Sequence, residues 1–139
     1  MRLLDTNVVV YARSTSSPFK KWAEEQIADS VSTEGAALNA ASLAELCAEP
    51  GIDPFVVTRA VTSFGVQIID VPAAAAARCG EAYRRYREAR AKASGKSAPP
   101  IPLPDFFIGA HAELLGVELV TNDPDRIRTY FPDVKLVTP

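Results

Sequence analysis

The hydrophobic residues of the chain fall into two patterns, short uninterrupted runs and longer stretches with helical spacing. Short apolar runs bounded by turn residues are typical of buried strands. They predict five strands, over residues 2–5, 35–39, 66–71, 117–120 and 134–137. No internal repeat and no marked change of composition divides the chain.

Helices are predicted between these runs, where apolar residues recur at helical spacing and residues that start or stop helices flank them. The predicted helices cover 18–30, 42–49, 53–64, 72–93, 105–115 and 123–130. A short helix is also expected from Thr6 and Asn7, which suit a helix start, although the three valines at 8–10 favour a strand. Residues 94–104 contain a glycine and four prolines and are expected to form an irregular loop.

Strands that alternate with helices imply a parallel sheet with helices on both faces. The sequence therefore predicts an α/β fold, a three-layer α/β/α sandwich with a mainly parallel five-stranded sheet, formed by residues 1–139 as one domain. The helices of such a fold run antiparallel to the strands, so helix N-termini gather at the edge where the strands end. Ligands bind in the crevice at that edge.

The composition agrees with a globular protein and narrows its class. Hydrophobic residues make up 47% of the chain and charged residues 23%, as in an ordinary globular domain. No apolar run is long enough for a membrane span, and the N-terminus lacks the layout of a signal peptide, so we expect a cytoplasmic protein. Cys47 and Cys79 lack metal-binding spacing and are expected to be small buried hydrophobic residues.

The charge distribution leaves a nucleic-acid partner open. The net charge of −2 would become +2 if bound cations neutralised four carboxylates. Residues 78–96 contain seven basic and two acidic side chains. This segment is either a contact for RNA phosphates or a solvated helix face with pairs such as Glu81 and Arg85, and the sequence does not choose between them.

Four acidic residues, Asp5, Glu45, Asp105 and Asp123, lie near the predicted helix starts at one edge of the sheet. Each alone fits a helix cap or a first helical turn, and for Glu45 the preceding Ser42 suggests a capping box. Capping does not explain acids at all four places, since Ser, Thr or Asn would serve as well. Clustered carboxylates repel one another unless a cation lies among them. Oxygen ligands alone favour Mg²⁺ or Mn²⁺.

Four sequence motifs resemble those of PIN domains, in the same order and over nearly the whole chain. They are residues 3–7 (LLDTN), 42–46 (SLAEL), 103–112 (LPDFFIGAHA) and 119–123 (LVTND). The resemblance is closest to VapC-like toxins of toxin–antitoxin pairs. It implies a magnesium-dependent endoribonuclease, with Mn²⁺ as a substitute, that forms a homodimer and is held inactive by a small antitoxin.

The resemblance also implies a role for particular residues. Asp5, Glu45, Asp105 and Asp123 would carry the metal and the catalysis, and Thr6, Asn7 and Thr121 would fix the acids or a ligand water through hydrogen bonds. The alternative within the same resemblance is a PIN-like module that binds RNA or a protein without cleaving it.

Two other classes that place an aspartate after the first strand fit less well. Phosphatases that form an aspartyl-phosphate need a second Asp two residues later, where this chain has Asn7. Response-regulator receivers need an acidic pair before the first helix and a lysine at the end of a late strand, whereas Lys135 lies inside the last predicted strand.

Several other side chains are expected to be structural. His111 lies roughly 120° around the helix from Asp105 and is expected to be a half-buried structural histidine rather than a general base. The aromatic residues on amphipathic helices are expected mainly in the core, although Phe19 and Trp22 would also suit a dimer or antitoxin groove. The aromatic residues in this group are Phe19, Trp22, Phe55, Phe64 and Tyr83.

Overall fold

The computed structural model describes every residue from Met1 to Pro139. In chain order its elements are β1 (Arg2–Leu4), α1 (Thr6–Arg13), α2 (Lys20–Thr33), β2 (Ala36–Asn39), α3 (Ala40–Cys47), α4 (Pro54–Ser63), β3 (Val66–Ile69), α5 (Ala73–Ser94), α6 (Pro104–Leu115), β4 (Glu118–Val120), α7 (Asp125–Tyr130) and β5 (Leu136–Val137). Every predicted strand and helix is present, and the ends differ from those expected by a few residues.

The five strands form one sheet in the order β3-β2-β1-β4-β5, and all neighbouring strands are parallel. Leu3 in the central strand lies beside Ala37 of β2 and Leu119 of β4. The expected five-stranded α/β sheet is therefore confirmed. Three polar residues lie at its carboxyl edge: Asp5 after β1, Asn39 at the end of β2 and Thr121 after β4.

Helices cover both faces of the sheet, as successive residues of the strands show. Leu3 and Leu119 belong to a hydrophobic cluster with residues of α5, α6 and α7. Leu4 and Val120, the next residues along each strand, belong to a second cluster with residues of α1, α2, α3 and α4. Because strand side chains alternate between faces, these two cores give the predicted three-layer arrangement.

Two expected helix starts are wrong. Helix α3 begins at Ala40 because the Asn39 side chain caps it and accepts a hydrogen bond from the Ser42 backbone N–H at 3.0 Å. The capping box between Ser42 and Glu45 is therefore absent, and Glu45 lies in the second turn. Helix α7 begins at Asp125, so Asp123 does not cap it.

The expectation that the aromatic residues are mainly in the core is wrong for two of them. Phe55 and Phe64 are each 67% exposed, near the two ends of α4. Tyr83 is buried, as expected. The cysteines are free; Cys79 is buried and Cys47 is partly buried. None of the helices has both the length and the apolar character needed to cross a membrane.

Candidate active site

Asp5 directly follows β1 at the carboxyl edge of the sheet, and only 7% of its surface is exposed. Its Oδ2 accepts hydrogen bonds from the Thr121 hydroxyl at 2.6 Å and from the Asn7 side-chain amide at 2.7 Å. The Asn7 side-chain oxygen accepts a third bond from the Asn122 backbone N–H at 3.2 Å. Asp5 is the N-cap residue of α1, but its side chain makes no capping bond. Helix capping therefore does not explain this carboxylate.

The pKa of Asp5 is raised from 3.8 to about 6, chiefly because the carboxyl group is buried. The negative charges of Asp105 and Glu45 also raise this pKa, whereas hydrogen bonds from Thr121 and the Thr6 backbone N–H lower it. Burial and like charges both disfavour the ionised form, and a cation among the three carboxylates would favour it. The carboxylates at this edge therefore destabilise one another when ionised.

Glu45 projects from α3 toward the same group of acids. Its carboxylate accepts a hydrogen bond from the Thr6 hydroxyl. Burial of the carboxyl group raises the pKa of Glu45, and so does the negative charge of Asp105, although the bond from Thr6 lowers it. The resemblance to PIN domains implies one supporting role for Thr6, Asn7 and Thr121. The structure divides them, since Thr6 holds Glu45 whereas Asn7 and Thr121 hold Asp5.

Asp105 lies in the first turn of α6, immediately after Pro104, as expected. Its Oδ2 accepts a hydrogen bond of 2.7 Å from Nη1 of Arg126 on α7. The Arg126 guanidinium also lies over the ring of Tyr86, 5.8 Å from its centroid. Asp105 is the only one of the four predicted acids that forms an ion pair.

Asp123 is exposed in the loop between β4 and α7. Its backbone N–H donates to the Thr121 hydroxyl oxygen at 3.0 Å, the same hydroxyl that donates to Asp5. Burial lowers the pKa of Arg126, but the hydrogen bond to Asp105 and the negative charges of Asp105 and Asp123 raise it overall. The structure thus couples Asp5, Glu45 and Asp105 to one another, with Asp123 on the Arg126 side of the group.

The donor set fits a hard divalent cation in chemistry, since it consists of carboxylate oxygens with no histidine or thiolate partner. In this arrangement no three His, Cys, Asp or Glu side chains are placed to hold a metal ion. Glu45 is bonded to Thr6, and Asp105 is bonded to Arg126. Asp5 is buried without a cationic partner and beside two other carboxylates, and this arrangement favours a cation among these groups.

His111 is more buried than expected, with 2% of its surface exposed, and it plays a structural part. Its Nδ1 lies 3.5 Å from the side-chain nitrogen of Asn39, the residue that caps α3. Burial lowers the pKa of His111, so the ring is neutral in the fold at neutral pH. His111 therefore lies beside the start of α3, the helix that carries Glu45, and is not part of the group of carboxylates.

The basic segment over residues 78–96 divides into paired and unpaired cations. Arg78 forms an ion pair of 2.6 Å with Glu113, and Arg84 forms one of 3.1 Å with Glu88. The cations of this segment without an ion-pair partner are Arg85, Arg87, Arg90, Lys92 and Lys96.

Sequence reasoning missed three polar residues of the site, Asn39, Asn122 and Arg126. Asn39 was identifiable, because an Asn at the end of a strand and before an alanine-rich helix is a favoured cap. Asn122 donates its side-chain N–H to the Tyr11 hydroxyl at 3.2 Å. The position of Arg126 depends on how α7 packs on α6, for which no local pattern gives a signal.

The fold and this edge define an α/β protein with clustered carboxylates at the carboxyl ends of a parallel sheet. A family model described as PIN domain matches residues 2–132. The chain belongs to the PIN-domain family. A comparison with curated proteins gave no significant match.

Solved structures with the same fold include chains from toxin–antitoxin complexes. VapBC2 from Rickettsia felis, bound to a DNA fragment from its promoter, gives 22% identity over 99% of this chain and 98% of that chain, with a TM-score of 0.65. VapBC-1 from nontypeable Haemophilus influenzae gives 20% identity over 99% and 96%, with a TM-score of 0.66. A toxin–antitoxin complex from Klebsiella pneumoniae gives 23% identity over 100% and 98%, with a TM-score of 0.62.

Proposed function

We propose that this protein is a magnesium-dependent endoribonuclease and the toxin of a toxin–antitoxin pair. The observation that carries the proposal is the buried Asp5, coupled to Glu45 and Asp105 at the carboxyl edge of the sheet. Membership of the PIN-domain family supports nuclease chemistry, and the toxin–antitoxin complexes among its structural neighbours support the toxin assignment. The proposal carries with it a cytoplasmic location, where RNA is accessible.

The proposed reaction is in-line hydrolysis of an RNA phosphodiester. A divalent cation held at these oxygens would supply an activated water and neutralise charge on the phosphate. Thr121 and Asn7 hold the Asp5 carboxylate in one orientation, and Thr6 does the same for Glu45. Asp105 and Asp123 complete the proposed set of metal-binding and catalytic acids. Preorganised ligands avoid the cost of ordering them when substrate binds.

The activity is tested with purified protein and single-stranded RNA at rising magnesium concentrations. We expect internal cleavage that saturates with Mg²⁺, persists with Mn²⁺ and stops when EDTA is added. The alternative candidate is a PIN-like module that binds RNA or protein without cleaving it. Retention of RNA with no cleavage at any metal concentration would favour that alternative.

We also propose a surface for a partner protein, which we call the apolar groove, on the face formed by α1, α2 and α4. It is a cavity of about 280 Å³ between α1, α2 and α4, lined mainly by aliphatic side chains. Val9, Ile27, Val31 and Val61 line it, and the exposed Phe64 stands at its side. A groove of this kind suits an apolar helix or strand from another protein. We propose the small antitoxin as its occupant, since the structural neighbours are chains of toxin–antitoxin complexes.

Phe64→Ala is expected to weaken binding of the antitoxin by at least about 30-fold, the effect of losing an interface hot spot. Folding should be little affected because Phe64 is 67% exposed. The test first requires a small open reading frame to be found next to this gene; its product is the partner, and titration calorimetry measures its affinity. Leu114→Ala removes an equally apolar side chain, 50% exposed on α6, and should leave the affinity unchanged.

Equal losses in the two variants would place the antitoxin elsewhere on the surface. Light scattering of the isolated protein tests the proposed homodimer in the same preparation. A mass of 14.9 kDa corresponds to one chain and would contradict it.

A further inference from the structure

The Arg126 guanidinium lies within the acidic group that the proposed function assigns to a metal. It donates to Asp105 at 2.7 Å and is the one cation that forms an ion pair with any of the four acids. The side chain is 41% exposed. It therefore lies at the surface of the site and is not buried beneath it.

Helix α7 is fixed in position, so this contact does not depend on a freely moving arm. Ile127 and Phe131, which both follow Arg126 along the chain, are buried in the same hydrophobic cluster as Phe106 of α6. The ring of Phe131 packs against Gly109 of α6, where an added Cβ would meet it at 2.4 Å. These contacts hold α7 against α6, and Arg126 in the first turn of α7 lies beside Asp105.

The charges explain why a cation is found there. The negative charge of Asp105 raises the pKa of both Asp5 and Glu45, so the three carboxylates destabilise one another when ionised. Arg126 neutralises part of that charge through Asp105. A divalent cation bound by the same carboxylates would also neutralise their negative charge. The Arg126 guanidinium, in contact with one of these carboxylates, would repel that cation.

We propose that Arg126 is a built-in counter-ion that a divalent cation must displace from Asp105. It stabilises the metal-free protein and lowers the affinity of the site for metal. This inference rests on the proposed function, because it assumes that the carboxylates bind a cation. It makes Arg126 a positioning residue for Asp105 and not a metal ligand.

The test compares Mn²⁺ affinity of the parent protein with that of Arg126→Gln, measured by electron paramagnetic resonance at constant ionic strength. Removal of one positive charge about 5 Å from a divalent ion should tighten binding by roughly tenfold. Thermal unfolding in EDTA should show a lower Tm for Arg126→Gln, because Asp105 loses its partner. Arg126→Lys keeps the charge and should remain near the parent affinity.

Arg128→Gln is the matched control, since Arg128 is exposed on the same helix and forms no ion pair. It should change the Mn²⁺ affinity by less than about twofold, as expected for a screened surface charge. Equal or weaker Mn²⁺ binding by Arg126→Gln than by the parent would overturn the inference alone. Absence of Mn²⁺ binding by the parent protein would contradict the proposed metal site and this inference together.

Discussion

Asp5→Asn is expected to reduce RNA cleavage by at least about 100-fold. Removal of a residue that only supports a metal ligand costs up to about 100-fold, and Asp5 is proposed as a ligand itself. The substitution keeps the shape of the side chain but removes its negative charge. The bond from Thr121 to Oδ2 has an equivalent acceptor in the Asn side chain, so the fold should be retained. Initial rates of cleavage at saturating Mg²⁺ measure the effect.

The same substitution should stabilise the protein in the absence of metal. The pKa of Asp5 is about 6 in the fold against 3.8 for the free side chain. Its contribution to stability is therefore fully present below pH 3.8 and is lost as the pH rises through 6. At neutral pH the ionised carboxylate costs on the order of 3 kcal/mol, which Asn does not incur.

The stability difference between Asp5→Asn and the parent, measured by urea unfolding in EDTA, should grow between pH 4 and 7. His111 has a lowered pKa and reduces stability as the pH falls, but it does so in both proteins and cancels from the difference. Asp133→Asn serves as the control, because the exposed Asp133 side chain has no hydrogen-bond or ion-pair partner. Cleavage by Asp5→Asn at the parent rate would refute the assigned role.

Gly109→Ala is expected to destabilise the protein by about 1–3 kcal/mol, the usual cost of overpacking a core. The added Cβ would lie 2.4 and 2.6 Å from two ring carbons of Phe131, which is almost completely buried. Because the ring is buried among core side chains, either the ring or α7 must shift to relieve the clash. The gain of up to about 1 kcal/mol from replacing glycine in a helix does not offset this clash.

Gly80→Ala provides a matched comparison in α5. No atom lies within 4 Å of a Cβ built at Gly80, so this variant should gain about 0.5–1 kcal/mol from helix propensity alone. Chemical denaturation of both variants measures the two effects. Phe131→Leu combined with Gly109→Ala should recover part of the loss, because the smaller side chain relieves the clash. A stabilised Gly109→Ala protein would show that the two helices adjust without cost.

Local sequence patterns were enough to predict three features. These are the strands, their alternation with helices, and the edge of the sheet that carries the acids. The apolar run before Asp5 and the proline before Asp105 identify a strand end and a helix start without knowledge of the fold. The location of Glu45 at this edge was correct, but the reason was wrong. Ser42 looked like a cap, whereas Asn39 caps the helix and places Glu45 one turn further along.

Features that depend on packing between distant segments were not predictable. The ion pair of Arg126 with Asp105 exists because Gly109 allows Phe131 to approach α6, and no spacing in the sequence encodes that distance. The exposure of Phe55 and Phe64 contradicts the usual expectation that aromatic residues on an amphipathic helix face the core. The chain itself provides no element that covers these two side chains.

The central position of β1 has a consequence for synthesis of the chain. β1 is synthesised before β4, yet Arg2 pairs with Glu118 across a separation of 116 residues. Asp5 likewise receives its hydrogen bond from Thr121 only after the chain has been made as far as Thr121. Pairing of such distant residues slows folding relative to local contacts. The carboxylate group at the edge of the sheet therefore cannot assemble before β4 has been synthesised, and nascent chains that end before β4 lack the candidate site.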